Sequence, residues 1–207
     1  MFGLMFAVAK RAAFQTAELK AGRWTRRLNV GLQGKTLGVI GTGAVGAEMA
    51  RLASALGMRV IAWSYHPSAE RSAALGVTYV RFDELLATAD VISLHVKLTD
   101  DSHHLIDAAA LAKMKDEAIL LNGARGDVVD MDALHAALTA GRLNGVGLDV
   151  FPEEPLPGDA PILSCDQVVL TPHAADWTAE ATELLNEGAV DNVIAFLEGQ
   201  PQNVVTG

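Results

Sequence analysis

Among 207 residues there is one cysteine, Cys165. It cannot close an internal disulfide or build a zinc site by itself, so the chain reads as one made for a reducing cytoplasm. Basic charge is scarce as well: 16 Lys and Arg stand against 25 Asp and Glu, for a net charge of −9. An acidic surface repels phosphate backbones, which excludes nucleic acid as the default partner. No apolar run approaches the roughly 20 residues that cross a bilayer, so no membrane partner is expected. Residues 1–9 are apolar, but Lys10 and Arg11 follow them instead of preceding them, and no secretory cleavage pattern appears. Phe2, Met5, Phe6, Ala9 and Ala13 recur at helical spacing, which predicts a buried or interface helix. Proline is sparse, and four of the seven fall in residues 152–161, an extended connector.

What the chain has in plenty is apolar residues, half of the total. That composition supports a large core and argues against disorder. From residue 36 onward, β-branched runs alternate with helical stretches. Strands are predicted over 36–40, 59–63, 77–80, 90–94, 118–121, 145–150 and 168–170. Helices are predicted over 44–56, from Pro67, from Phe82, over 131–140 and over 178–198, the last stopped by Gly199 and Pro201. Alternation of this kind implies right-handed crossovers and an α/β fold, a doubly wound parallel sheet of the Rossmann dinucleotide-binding type.

Gly41-Thr42-Gly43-Ala44-Val45-Gly46 follows the first strand and opens the first helix of the sheet. In that setting Gly41 permits the tight turn, Gly43 lets the backbone approach a pyrophosphate, and Gly46 lets helix and strand pack closely. The helix amino end attracts the phosphate charge. About 20 residues on, where a carboxylate holds the ribose hydroxyls in many such folds, stands Ser64. No carboxylate lies between Val60 and Ala69. Without it a 2′-phosphate is admissible, with His66 or Arg71 as positive partners. The cofactor reading is therefore NAD or NADP, leaning to NADP.

Three later strands each end in a chemically distinctive loop. Arg125 sits in Asn122-Gly123-Ala124-Arg125-Gly126-Asp127. Asp149 and Glu154 sit in Gly147-Leu148-Asp149-Val150-Phe151-Pro152-Glu153-Glu154-Pro155, and His173 closes Leu170-Thr171-Pro172-His173. An arginine grips a carboxylate with two parallel hydrogen bonds and polarises the neighbouring carbonyl. A histidine can protonate a forming alkoxide, and a carboxylate beside it orients the ring. Beside a dinucleotide, this set points to hydride transfer on an anionic carbonyl substrate. His95 reads equally as a cofactor-edge residue or a satisfied structural histidine. His103, His104 and His135 read as solvent-facing, with no metal-ligand spacing, and no metal is expected. Cys165 reads as a packing residue.

From about Leu19 onward these motifs, together with Ser93-Leu94-His95-Val96 and Leu98-Thr99, resemble the D-isomer-specific 2-hydroxyacid dehydrogenase family. That family includes glyoxylate/hydroxypyruvate reductases and phosphoglycerate dehydrogenases. The resemblance implies that Arg125 binds the substrate carboxylate and carbonyl, that His173 is the acid/base, and that Glu154 is its partner. It implies that the backbone of Ala44 and Val45 meets the pyrophosphate, that Asp149 contacts the nicotinamide end, and that Val96, Gly123, Ala124 and Ala174 line the cofactor. The substrate class would be a small 2-keto or 2-hydroxy acid, and the assembly a homodimer. The sequence departs from the family pattern at Ser64, at Lys97 where proline is frequent, and at Ala174-Ala175-Asp176-Trp177 where a Gly-containing run is usual.

The resemblance also implies an organisation. Residues 1–30 would form a linker helix and connection, 31–177 the dinucleotide domain, and 178–207 a helix returning toward a substrate domain that this chain mostly lacks. Cofactor binding at reduced affinity and weak or absent turnover are expected of such a piece. A different class of function fits the same residues: a non-catalytic module that senses NAD(P)H and docks a partner, as the related C-terminal-binding-protein corepressors do.

Overall fold

Seven parallel strands form one sheet, in the order β3-β2-β1-β4-β5-β6-β7. In this computed structural model, which describes residues 1–205, they are β1 (Thr36–Ile40), β2 (Arg59–Trp63), β3 (Thr78–Tyr79), β4 (Val91–Leu94), β5 (Ile119–Asn122), β6 (Gly145–Leu148) and β7 (Val168–Leu170). Every residue of β1, β4, β5 and β6 is buried. Parallel strands covered on both faces need continuous apolar runs, and these four supply them. The register places Ile40 beside both Trp63 and Leu94, so β1 and β4 are the neighbours at which strand order reverses.

Helices cover both faces. On one side α5 (Phe82–Thr88), α6 (Ala108–Lys113) and α7 (Met131–Thr139) contribute Leu85, Leu86, Leu111, Leu134 and Leu138 to a core with Ile40, Leu94, Leu120 and Leu148. On the other, α1 (Phe2–Ala9) and α3 (Ala44–Ala55) bring Leu4, Met5, Val8, Met49 and Ala50 against Leu37, Val39 and Leu121. Close approach of α1 depends on glycine. A Cβ on Gly145 would fall 2.6 Å from Val8 Cγ1, and one on Gly147 would fall 3.3 Å from Leu4 Cβ.

The fold is the α/β doubly wound type that the alternation implied, with differences in detail. The N-terminal helix is two helices, α1 and α2 (Ala12–Lys20), because Arg11 between them is left-handed at φ 50°. Its guanidinium is held there: Nε donates to Leu28 O at 2.9 Å, and Nη2 donates to Asn144 Oδ1. Phe6 and Ala13, both expected on the buried face, are exposed on α1 and α2. The helix expected from Pro67 is α4 (Ala69–Leu75), started by Ser68, whose Oγ accepts the Arg71 N–H. α6 was not anticipated; Asp107 caps it by accepting the Ala110 N–H at 2.7 Å. Cys165 is partly buried and packs on the core, as expected.

The chain divides after His173 into two compact units. In the second, residues 174–205, α8 (Ala179–Leu197) begins at Thr178, whose Oγ1 accepts the Ala181 N–H at 3.1 Å. It buries none of its residues and exposes Leu184, Leu185, Val193 and Phe196. Among the described residues, no helix is long and apolar enough to cross a membrane.

Candidate active site

The crevice at the strand-order reversal is made by the β1–α3 turn and the segment after β4. Gly41 is left-handed at φ 93°, and a Cβ there would sit 2.6 Å from His95 O. A Cβ on Gly46 would sit 2.0 Å from Gly41 O, so only glycine lets α3 start this close to β1. Gly43 is different, because a Cβ there meets open space. It is the N-cap of α3, contributes no side-chain cap, and is followed by no acidic residue in the first turn. The first-turn N–H groups, including those near exposed Ala44 and Val45, therefore present an uncapped positive helix end to solvent. A space that the missing Gly43 side chain leaves open, in front of uncapped amides, fits a pyrophosphate.

At the end of β2, Ser64 Oγ accepts the His66 N–H at 3.3 Å. His66 and Arg71 are both exposed. A cavity of about 430 Å³ lies next along the crevice, lined by Val45, Val96, Gly123, Ala124 and Arg125, together with His95 and Lys97. Five residues expected at the cofactor or substrate thus share one wall. His95 lines this cavity and is hydrogen-bonded, its Nε2 lying 2.8 Å from Ser93 Oγ. Burial pushes the His95 imidazole down to about 4, aided by the N-terminal ammonium, so the ring is neutral at pH 7.

Arg125 is exposed, in extended backbone just before a single 3-10 turn, Gly126–Val128. Its loop is set by a residue the sequence reading did not single out. Buried Asn122 accepts the Ala124 N–H at 3.0 Å and donates Nδ2–H to Arg125 O at 2.9 Å. A Cβ on Gly126 would lie 2.0 Å from the Phe151 carbonyl carbon, which brings the Arg125 loop against the segment leading to Glu154.

Glu154 and His173 form a pair. Glu154 Oε2 lies 2.7 Å from His173 Nδ1, and Oε1 accepts the Phe151 N–H at 2.9 Å. Those two bonds, the His173 one first, hold the Glu154 carboxyl below the ordinary range, and the charges of His173 and Arg125 add to the effect. His173 is left-handed at φ 49°, fixed by its N–H donating to Asp149 O at 2.7 Å. Asp149 is buried, and its Oδ1 accepts the Thr171 hydroxyl at 2.5 Å. A second cavity, of about 650 Å³, is lined by Glu154 and His173 with the apolar side chains of Phe151, Leu156, Leu163 and Leu170. Ala174 begins the second unit and is described only within it.

Residues 2–175 match the family model described as D-isomer specific 2-hydroxyacid dehydrogenase, NAD binding domain. The match begins ahead of Leu19, so α1 is included in it. The chain is similar to a glyoxylate reductase of Korarchaeum cryptofilum, 40% identical over 211 residues, covering 99% of this chain and 64% of that one. It is 43% identical over 200 residues to a hydroxypyruvate reductase of Thermotoga maritima, covering 94% of this chain and 64% of the relative. Among solved structures, it superposes with a TM-score of 0.86 on a D-lactate dehydrogenase from Aquifex aeolicus complexed with NAD and lactic acid, 35% identical, covering 96% of this chain and 65% of that one. The chain therefore spans just under two thirds of the length of these relatives.

Proposed function

The chain belongs to the D-isomer specific 2-hydroxyacid dehydrogenase family through its NAD-binding domain, and on that premise we propose that it supplies the cofactor-binding and proton-transfer half of a 2-keto acid reductase. The substrate class is a small 2-keto acid of the glyoxylate or hydroxypyruvate kind, as in the named relatives. A nicotinamide cofactor, when bound, supplies the hydride to the carbonyl carbon. Arg125 holds the substrate carboxylate by paired hydrogen bonds and draws charge toward the carbonyl oxygen. His173 presents its Nε2 proton to that oxygen, and solvent restores the proton after product leaves. Glu154, hydrogen-bonded to Nδ1, keeps the ring oriented. The net change is one hydride and one proton added across the carbonyl, giving the 2-hydroxy acid.

The observation that carries this reading is the Glu154–His173 pair within electrostatic reach of Arg125. A redox-sensing module need not keep all three of those residues. NADP is proposed over NAD because Ser64 stands where a carboxylate would repel a 2′-phosphate. A cytoplasmic homodimer belongs to the same proposal and is tested by sedimentation.

The test follows oxidation of NADH and of NADPH with glyoxylate and with hydroxypyruvate, beside dinucleotide binding by fluorescence. Arg125→Ala is expected to lower turnover by about 100-fold or more while leaving dinucleotide binding in place. Turnover indifferent to Arg125→Ala overturns the reading, as does a folded chain that binds neither dinucleotide. A chain that binds dinucleotide but gains no turnover when an upstream substrate domain is joined to it is a sensor instead.

A further inference from the structure

His103 and His104 lie in the loop between β4 and α6, and Asp127 lies in the 3-10 turn after Arg125. Far apart in sequence, the three offer one ligand atom each within 4.8 Å of one another. The two imidazoles are exposed and stacked, with ring centroids 4.0 Å apart, and Asp127 is half-buried between the loops. Among the described residues, no side-chain hydrogen bond or ion pair engages any of these three donors.

The backbone beneath them is held firmly. His104 N–H donates to Asp127 O at 2.7 Å, Ile106 N–H donates to Val128 O at 3.0 Å, and Asp130 N–H donates to Ile106 O at 3.0 Å. The first of these bonds joins two of the three donor-bearing residues directly. Ser102, fully buried, ties the start of the same loop by donating its hydroxyl to Lys97 O at 2.6 Å. His104 is left-handed at φ 51°, a conformation histidine accepts more readily than most residues. The donors thus stand on a scaffold fixed by hydrogen bonds.

We propose that His103, His104 and Asp127 form a binding site for a late first-row divalent cation, of the zinc or nickel class, that clamps the loop after β4 to the Arg125 loop. Two imidazoles and one carboxylate are the donor set those ions favour, with water completing the shell. Donors sharing one ion at about 2.1 Å stand about 3.3 Å apart, a closure that rotation of two exposed rings supplies. Linear spacing hid the site, since adjacent histidines and a distant aspartate match no ligand motif. The site does not depend on the role given to Arg125.

Calorimetry with ZnCl2 and with NiCl2 alone, on the untagged chain at pH 7.5, tests it. One equivalent is expected to bind in the micromolar range. His103→Ala and Asp127→Asn are each expected to weaken binding at least about tenfold. His104→Asn, which keeps a residue tolerant of the left-handed backbone, is expected to do the same. Thermal melting without metal, unchanged from the parent chain, qualifies each variant, and His103→Ala at an exposed ring decides the matter if the others fail to fold. Absence of binding overturns the proposal. Binding that survives all three substitutions also overturns it, because the ion then sits on other side chains.

Discussion

Glu154 Oε2 and His173 Nδ1 are 2.7 Å apart, and the other Glu154 oxygen is tied to the Phe151 N–H. Both oxygens are thereby committed, one to the ring and one to the backbone that positions the carboxylate. This two-point hold gives the pair a defined orientation.

Glu154→Gln keeps the shape of the side chain and removes its charge. It is expected to cut the reductase rate by about 100-fold, the scale of a positioned acid–base partner, with a smaller effect on dinucleotide binding. Because its carboxyl is held below 4.5, Glu154 is charged throughout the neutral range, and any loss of activity caused by its protonation falls below that pH. Steady-state rates of the two proteins from pH 5 to 8 check this. Equal rates would remove Glu154 from the mechanism.

Gly43 and Gly46 make opposite predictions although they are three residues apart. A Cβ on Gly46 lies 2.0 Å from a backbone oxygen that cannot move aside without dislodging β1. Gly46→Ala is therefore expected to cost about 3 kcal/mol or more, a fall of several degrees in melting temperature. A Cβ on Gly43 meets nothing, so Gly43→Ala costs about 1 kcal/mol at most, the difference between glycine and alanine at an N-cap. It does, however, fill the space in front of the α3 amides, and dinucleotide affinity is expected to drop at least about tenfold. Melting curves and fluorescence titrations of both variants separate the structural glycine from the binding one.

The parallel sheet was legible because burial on both faces leaves no room for polar alternation: Thr36-Leu37-Gly38-Val39-Ile40 reads as a buried strand. The site loops were legible because each couples a strand end to a glycine or proline beside a charged residue. Other features depend on contacts between distant residues. The break at Arg11 is held by Leu28 and Asn144, and the Arg125 loop is braced by Asn122, whose side chain acts on its own loop only once β5 is buried. α6 is one and a half turns of alanine-rich chain, too short for hydrophobic periodicity to show, and Asp107 was its only local sign. His103, His104 and Asp127 are brought together by backbone pairing between loops that no spacing rule connects.

His95 gives a stability prediction with a definite sign. Its folded pKa is about 4, against an ordinary 6.5, so the folded state disfavours the protonated ring. Between those values the unfolded chain binds more protons, and stability rises with pH. The contribution is complete above pH 6.5 and is lost as pH falls toward 4, on the order of 3 kcal/mol over that window. Urea unfolding at pH 7 and pH 4.5 measures it. His95→Gln, which can still reach Ser93, is expected to flatten that difference. An equally steep dependence in the variant would assign the effect to other groups.

The proposed preference for NADP rests on Ser64, and one substitution turns that into a measurement. It follows β2, where the proposed reading puts the ribose, and among the described residues its Oγ accepts the neighbouring His66 N–H. Ser64→Asp places a negative charge there. Two like charges a few ångströms apart at a partly exposed site repel by roughly 1–4 kcal/mol. NADPH affinity is therefore expected to fall at least about tenfold, while NADH affinity holds or improves through hydrogen bonds from the ribose hydroxyls to the new carboxylate. Fluorescence titration of both cofactors against both proteins reads this directly. If NADPH binds the Ser64→Asp variant as tightly as the parent chain, the ribose end lies elsewhere, and the lean toward NADP goes with it.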